Sequence, residues 1–317
     1  MKEKNLAGKV QQGLRVFFPE EEIYARSWPW QHQVMGFAFL FALFCILGYF
    51  IPANGFVAFD WVHFFSRGHI PPFYPPWDAW AVRWLTWPVF FGLSMAAISI
   101  SIIKRSRHAV SGIAASLTLP VFWAMFLGQL EGLVVLGLLG LPWLTPLALL
   151  KPQVSLFAFG ARRNYVLAAL LWVSISLILW PGWPLRMLAT NHYYAEGRYP
   201  QDISLGLRGA LLAVPMMWFS RGDMDMLMVS GAFMTLHLLP YNMLPFVPAV
   251  ARLKPEVAVV LAALSWLPLL SNWMGKEGWW LGWIFAAGLW GALAQQRYFQ
   301  VRVSEAKAPR PTVNKHP

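Results

Sequence analysis

An all-α, polytopic integral membrane protein is the fold class this sequence predicts, and three observations carry that reading. Of 317 residues, 58% are hydrophobic and 12% are charged, and mean hydropathy is +0.49; soluble domains carry roughly twice that charge. Apolar runs recur along the chain at lengths near the roughly 17–25 residues that cross a bilayer as helix. The 19 tryptophans suit the interfacial belts where an amphipathic ring is favoured. The single cysteine, Cys45, lies within the first apolar run, which excludes an intrachain disulfide.

Residues 1–30 form a mostly polar cytoplasmic segment with no cleavable-signal pattern. Within it Leu6, Val10, Leu14 and Phe17 recur at helical spacing beside Lys2, Lys4, Lys9 and Arg15. That pattern predicts an amphipathic helix lying on an anionic leaflet. The transmembrane domain, 31–297, then holds the apolar segments Met35–Ile51, Val82–Ile103, Val110–Leu127, Tyr165–Trp180, Val257–Leu270 and Trp279–Ala294, with less regular stretches between. Between Gly132 and Phe159 three prolines, Pro142, Pro146 and Pro152, interrupt the pattern. Irregular backbone at membrane depth is tolerated inside protein or beside a water-filled cavity, so this stretch predicts a broken or re-entrant region lining an outward-facing cavity. The basic tail, 298–317, is expected to be disordered.

Charge sets the orientation. The net charge of +11 comes from clusters beside the spans: the N-terminus, Lys104/Arg105/Arg107, Arg162/Arg163, Arg252/Lys254 and the tail from Arg297. Basic clusters mark cytoplasmic ends, so this charge is a topology signal and not one for nucleic acid. Placing both termini in the cytoplasm of a cell membrane puts these clusters inside in turn and yields about ten crossings.

Chemistry-bearing residues gather in the loop from Phe59 to Trp80, FDWVHFFSRGHIPPFYPPWDAW, between the first and second spans. It sets two carboxylates, Asp60 and Asp78, among Trp, Tyr and Pro. Asp60 follows the first span closely, where its carboxylate can accept a proton from an attacking hydroxyl. Asp78 stands near the start of the second span, where an acid also favours a helix N-terminus. Outward cations, Lys151 and Arg83 among them, suit an anion such as a lipid phosphate; Lys151 can equally snorkel to head groups. Aromatic faces such as that of Tyr74 suit sugar rings. His63 and His69 read as solvated or hydrogen-bonded rather than metal-bound, and His237 and Asn242 as helix-packing polar groups. No glycine-rich phosphate loop, HExxH, cysteine pair or serine elbow occurs.

Five short motifs occur in order: Asp60 in FDWVHFF, the aromatic-proline run FYPPW (Phe73–Trp77), Gly128-Gln129 in FLGQLEGL, Lys151-Pro152-Gln153 in LLKPQVSLF, and LLPYNMLPFVP (Leu238–Pro248). In this order the chain resembles a short, divergent member of the GT-C-type membrane glycosyltransferases, polyprenol-phosphate-mannose-dependent mannosyltransferase-like family. The resemblance implies transfer of a mannose-like hexose or pentose from a polyprenyl-phosphate donor to a lipid-linked or cell-surface hydroxyl on the outer face, without a nucleotide sugar; no cofactor or metal is expected. It makes Asp60 the base or acceptor-positioning residue. Lys151 would hold donor phosphate, and Gln129 and Gln153 would orient sugar or phosphate oxygens. Glu131 stands where the family more often has an amide, either as a second acid in the site or as a sign of drift. The chain is shorter than is usual for the family and compressed after Gln129, so an inactive relative is one alternative. A transporter or lipid flippase using the Pro142–Lys151 stretch, and a non-catalytic membrane subunit of an envelope assembly, are the others.

Overall fold

The computed structural model describes residues 29–66, 74–190, 199–220 and 222–307. It is all-helical, 77% helix, with no strand among the described residues. The expected amphipathic N-terminal segment, and Arg67, His69 and Phe73 of the acidic loop, lie outside them.

Helix α1 (Trp30–Phe50) is strongly apolar, with a hydropathy of 2.0, yet 6% of its span is buried within the protein. Val34, Met35, Phe39 and Ile46 face outward, a surface that suits hydrocarbon rather than water. The acidic loop follows, containing a π-helical turn (Trp61–Phe65) and a one-turn helix (Asp78–Val82). Helix α2 (Trp87–Arg105) carries Pro88 in its first turn, where a missing N–H costs nothing, and packs along α1.

Helices α3 (Ala109–Ser116) and α4 (Leu119–Leu127) form a pair bent by 43°, with Pro120 in the first turn of α4. Helix α5 (Glu131–Leu139) leads into the proline-broken region. There the chain makes one-turn helices at Thr145–Ala148 and Pro152–Ser155 and a 3-10 turn at Leu156–Ala161. Helices α6 (Arg163–Leu179) and α7 (Trp183–Thr190) meet at a 90° bend. Helices α8 (Ala210–Ser220) and α9 (Met224–Ala232) precede the central element of the core.

That element is a 13-residue 3-10 helix, Pro240–Arg252. Runs of 3-10 helix beyond three or four residues are uncommon. Pro240, Pro245 and Pro248 offer no N–H to an α-helical ladder, so packing must hold this one in place. Leu244, Phe246, Val247, Ala249 and Val250 are fully buried, against α2, α3, α4, α5 and α9. Helix α10 (Pro255–Leu264) and helix α11 (Gly282–Lys307) close the fold. Helix α11 continues past position 297, where a disordered tail was expected to begin.

Three helical stretches among the described residues are long and apolar enough to cross a membrane: α1, α2 and Pro255–Arg297. The number reaches five if each bent pair is one span. This is fewer than the crossings counted from charge, for a physical reason. Several apolar segments are short helices cut by Pro and Gly: α5, α9 and the 3-10 helix bury against protein, while α6 and α8 keep mostly exposed apolar surfaces.

Candidate functional site

Four separate segments converge beside the first turns of α2. The acidic loop is docked by Ala58, whose N–H donates to the Phe126 carbonyl at 2.7 Å. Ala58 is fully buried at φ 60°, a left-handed conformation that costs a non-glycine residue about 1–2 kcal/mol. Trp61, buried and stacked on Phe90 at 4.5 Å, leaves Asp60 half-buried just before the π-helical turn.

Helix α4 ends at Gly128, at φ 73°, the left-handed cap that glycine adopts freely. A Cβ there would lie 2.7 Å from the Trp61 Cβ. Gly128 therefore ends the helix and also lets the acidic loop approach. Its neighbour Gln129 donates from Nε2 to the Asp60 carboxylate Oδ2. Two residues on, Glu131 opens α5, and Gly132 brings that helix so close to α2 that a Cβ would lie 2.3 Å from the Ser94 Cβ.

Lys151 arrives from the proline-broken region. The proline after it disfavours helical backbone, and Lys151 is accordingly at φ −129°, ψ 88°. Its side chain is buried, and Nζ donates to Gln129 Oε1 at 2.5 Å and to Glu131 Oε1 at 2.8 Å. The ammonium also lies 5.3 Å from the Tyr74 ring centre and 4.8 Å from that of Tyr241, a cation–π setting. Asn242, from the 3-10 helix, donates to Glu131 Oε1 at 2.6 Å. An unbroken chain of contacts thus runs Asp60–Gln129–Lys151–Glu131–Asn242.

Asp78 completes the charge set. It is fully buried, and neither carboxylate oxygen has a hydrogen-bond partner; Glu131 Oε2 is likewise unpartnered. Burial pushes the Asp78 carboxyl well above the usual carboxylate range, against the pull of Lys151 and with the push of Glu131. Burial also raises Asp60 to about 6, opposed by Lys151 and by the Gln129 hydrogen bond. Three carboxyl groups thus share one cation in a nearly dry setting. Protonation of Asp78 is the way such an excess of negative charge is relieved. The arrangement offers a half-exposed base near neutral pH, an ammonium able to hold an anion, and a neutral acid able to donate a hydrogen bond.

Asp60, Gln129, Glu131 and Lys151 are therefore joined directly, with Tyr74 against the lysine and Asp78 within its field. Two candidates stand apart. Arg83 is exposed, its guanidinium 4.4 Å from the Trp84 ring centre and 5.8 Å from that of Trp80. Gln153 lies beyond Pro152, its Oε1 buried without a partner and outside the chain of contacts. Asn242, read from sequence as a helix-packing group, joins the 3-10 helix to α5 through Glu131, and Tyr241 was not singled out; both sit in the PYN of LLPYNMLPFVP. His237 pairs instead with Asp202 at 2.6 Å. Among the described residues no group of three or more His, Cys, Asp or Glu is arranged to hold a metal ion. No family model matches the chain, and neither curated proteins nor solved structures give a match.

Proposed function

We propose that this protein is a membrane glycosyltransferase that moves a sugar from a polyprenyl-phosphate donor to a hydroxyl of a lipid-linked or cell-surface acceptor. The observation that carries this reading is the chain Asp60–Gln129–Lys151–Glu131, drawn from three distant segments onto one spot. In the proposed reaction the acceptor oxygen attacks the anomeric carbon and its proton passes to Asp60. The bond from that carbon to the phosphate oxygen breaks, and polyprenyl phosphate leaves. Lys151 faces the phosphate charge, which requires its ammonium to exchange a protein oxygen for a phosphate oxygen. Tyr74 and Tyr241 supply flat apolar faces for the sugar.

The site belongs, in this reading, to an outward-facing cavity of a protein with about ten crossings and both termini in the cytoplasm. Labelling of intact cells should modify a cysteine introduced at Ser66 and miss one at Ser304; the reverse pattern overturns the topology and the outer site together. The reaction itself is tested with purified protein and radiolabelled polyprenyl-phosphate mannose, wild type against Asp60→Asn. Loss of about 10²–10⁴-fold in rate is expected from removing a general base. Transfer at an equal rate by both proteins would remove Asp60 from the mechanism.

One observation favours a second reading. Buried Asp78 and Glu131, with three carboxyl oxygens unpartnered beside Lys151 in a broken-helix region, are also what a proton-coupled transporter would use. Proton-driven uptake into vesicles by a protein that transfers no sugar would select it.

A further inference from the structure

At the opposite end of α2 two cavities adjoin, of about 430 and 480 Å³. The smaller is lined by Leu40, Ile102, Ile103 and Ile113 from three helices, together with Ser99, Ser106 and Ser116. The larger is lined by Arg252 and Lys254 and by Gln295 and Gln296 of α11, where Gln296 Nε2 donates to the Arg252 carbonyl at 3.2 Å. Arg107 and His108 line both, so the two cavities meet at these residues. No carboxylate is among the residues lining either one.

The lining of the larger cavity is basic, and the acid nearest to Lys254 in the chain is Glu256 in the first turn of α10. Arg252 is held by Asp223 and Asp225, and Arg105 by Asp225, so those two arginines and two aspartates cancel. Arg107 and Lys254 remain, both exposed. Two helices also begin here. His108 is the N-terminal cap residue of α3 and Lys254 that of α10, and neither side chain caps its helix. Helix N-termini favour negative charge through their first-turn N–H groups and dipole. Beside Arg252 the Gln296 Oε1 is buried and lacks a donor, which a ligand hydroxyl would supply.

We propose that these adjacent cavities together bind an anionic phospholipid. Its phosphate lies between Arg107, Lys254 and the two helix N-termini, a headgroup hydroxyl reaches Gln296, and one acyl chain runs along the groove formed by Leu40, Ile103 and Ile113. Basic pockets between membrane helices are suited to such head groups, and the apolar groove is what separates a lipid from a free anion. The site is independent of the glycosyltransferase reading, because it shares no residue with the Asp60 chain.

The test uses the purified full chain in a neutral detergent, titrated separately with short-chain phosphatidylglycerol, short-chain phosphatidylcholine and inorganic phosphate while the unfolding temperature is followed. Phosphatidylglycerol should raise the Tm saturably, and the other two should not at the same concentration. Arg107→Gln with Lys254→Gln should weaken the apparent affinity about 10–30-fold, the scale of two surface cations at an anionic head group. Ile113→Trp, which fills the groove and leaves the charges, should weaken it several-fold and serves if the charge variant does not fold. An equal response to phosphatidylcholine would reduce the effect to bulk lipid. An equal response to phosphate would reduce the site to an ion site. Unchanged phosphatidylglycerol affinity in both variants would place binding elsewhere. Each of these three results overturns the proposal.

Discussion

The two ends of helix α2, about 27 Å apart at 1.5 Å per residue, carry polar clusters of opposite character. At the Arg105 end every buried charge is answered. Arg105 grips Asp225 through Nε at 3.1 Å and Nη2 at 3.0 Å and also donates to Ser101 Oγ at 2.7 Å. Arg252 bridges Asp223 and Asp225 at 2.7 and 2.9 Å, and Asp223 in turn caps α9 through the N–H groups of Asp225 and Met226. At the Trp87 end charges are left over: one lysine serves three carboxyl groups, and three acid oxygens have no partner. A fully matched network ties helices together. A mismatched one sits at higher free energy, because an unpartnered buried polar group forgoes about 1–3 kcal/mol. Packing built the first, and the second is what a site awaiting a ligand or a proton looks like.

Substitutions at the two ends should therefore separate stability from chemistry. The largest effect belongs to Asp60→Asn, with transfer falling about 10²–10⁴-fold and no loss of fold. The sign of the stability change is itself a check. The folded pKa of about 6 lies above the ordinary 3.8, so the unfolded chain ionises first and Asp60 lowers stability progressively as pH rises from about 4 to about 6. Above that window the Asn variant should be at least as stable as wild type in detergent. The wild-type rate should climb about tenfold per pH unit below about 6 and level off above it; a profile flat through pH 6 would discard Asp60 as the base.

Asp225→Asn, at the matched end, should do the opposite. It leaves Arg105 and Arg252 facing one another with half their acceptor charge, at a cost of about 3–5 kcal/mol of stability, with the rate per folded molecule unchanged. A rate change without a stability change would erase the contrast between the ends.

Lys151→Met sharpens the comparison further, since it strands Glu131 as a buried carboxylate without its cation and should cost a similar 3–5 kcal/mol. Adding Glu131→Gln should recover about 1–3 kcal/mol of that as coupling between neighbours, measured by chemical unfolding of both single variants and the pair. Strict additivity would mean that the two residues do not form a pair. The smallest effect is expected from Gly128→Ala, about 1–2 kcal/mol for a left-handed alanine, with the approach of Trp61 adding to it. Its informative readout is transfer, which should fall because Gln129 no longer reaches Asp60.

Much of the candidate site was legible in the chain. Gly128-Gln129 and Lys151-Pro152 are local rules written in residue type: glycine ends a helix in a left-handed turn, and proline forces the residue before it to extend. Asp78 shows where local reading stops. It opens a short helix, which suggested a helix-terminal acid, yet its side chain makes no cap and lies wholly buried near Lys151. Arg83 shows the converse, a cation expected near an anion that instead lies over its own neighbours Trp80 and Trp84.

What the sequence alone determined follows from composition and local chemistry: an all-helical fold, apolar segments fit for lipid, a basic sign at the Arg105/Arg107 and Arg252/Lys254 positions, and the break around Pro142, Pro146 and Pro152. Those properties depend on residues close together in the chain. The tertiary structure decided which breaks face one another. Asn242 meets Glu131 across 111 positions because Pro240–Arg252 holds a long 3-10 form that burial stabilises and no local propensity favours. It also decided which charges are matched, since Arg105 reaches Asp225 across 120 positions while Asp78 reaches no partner. Pairing of buried charge is set by the distance between segments, and that distance is a property of packing.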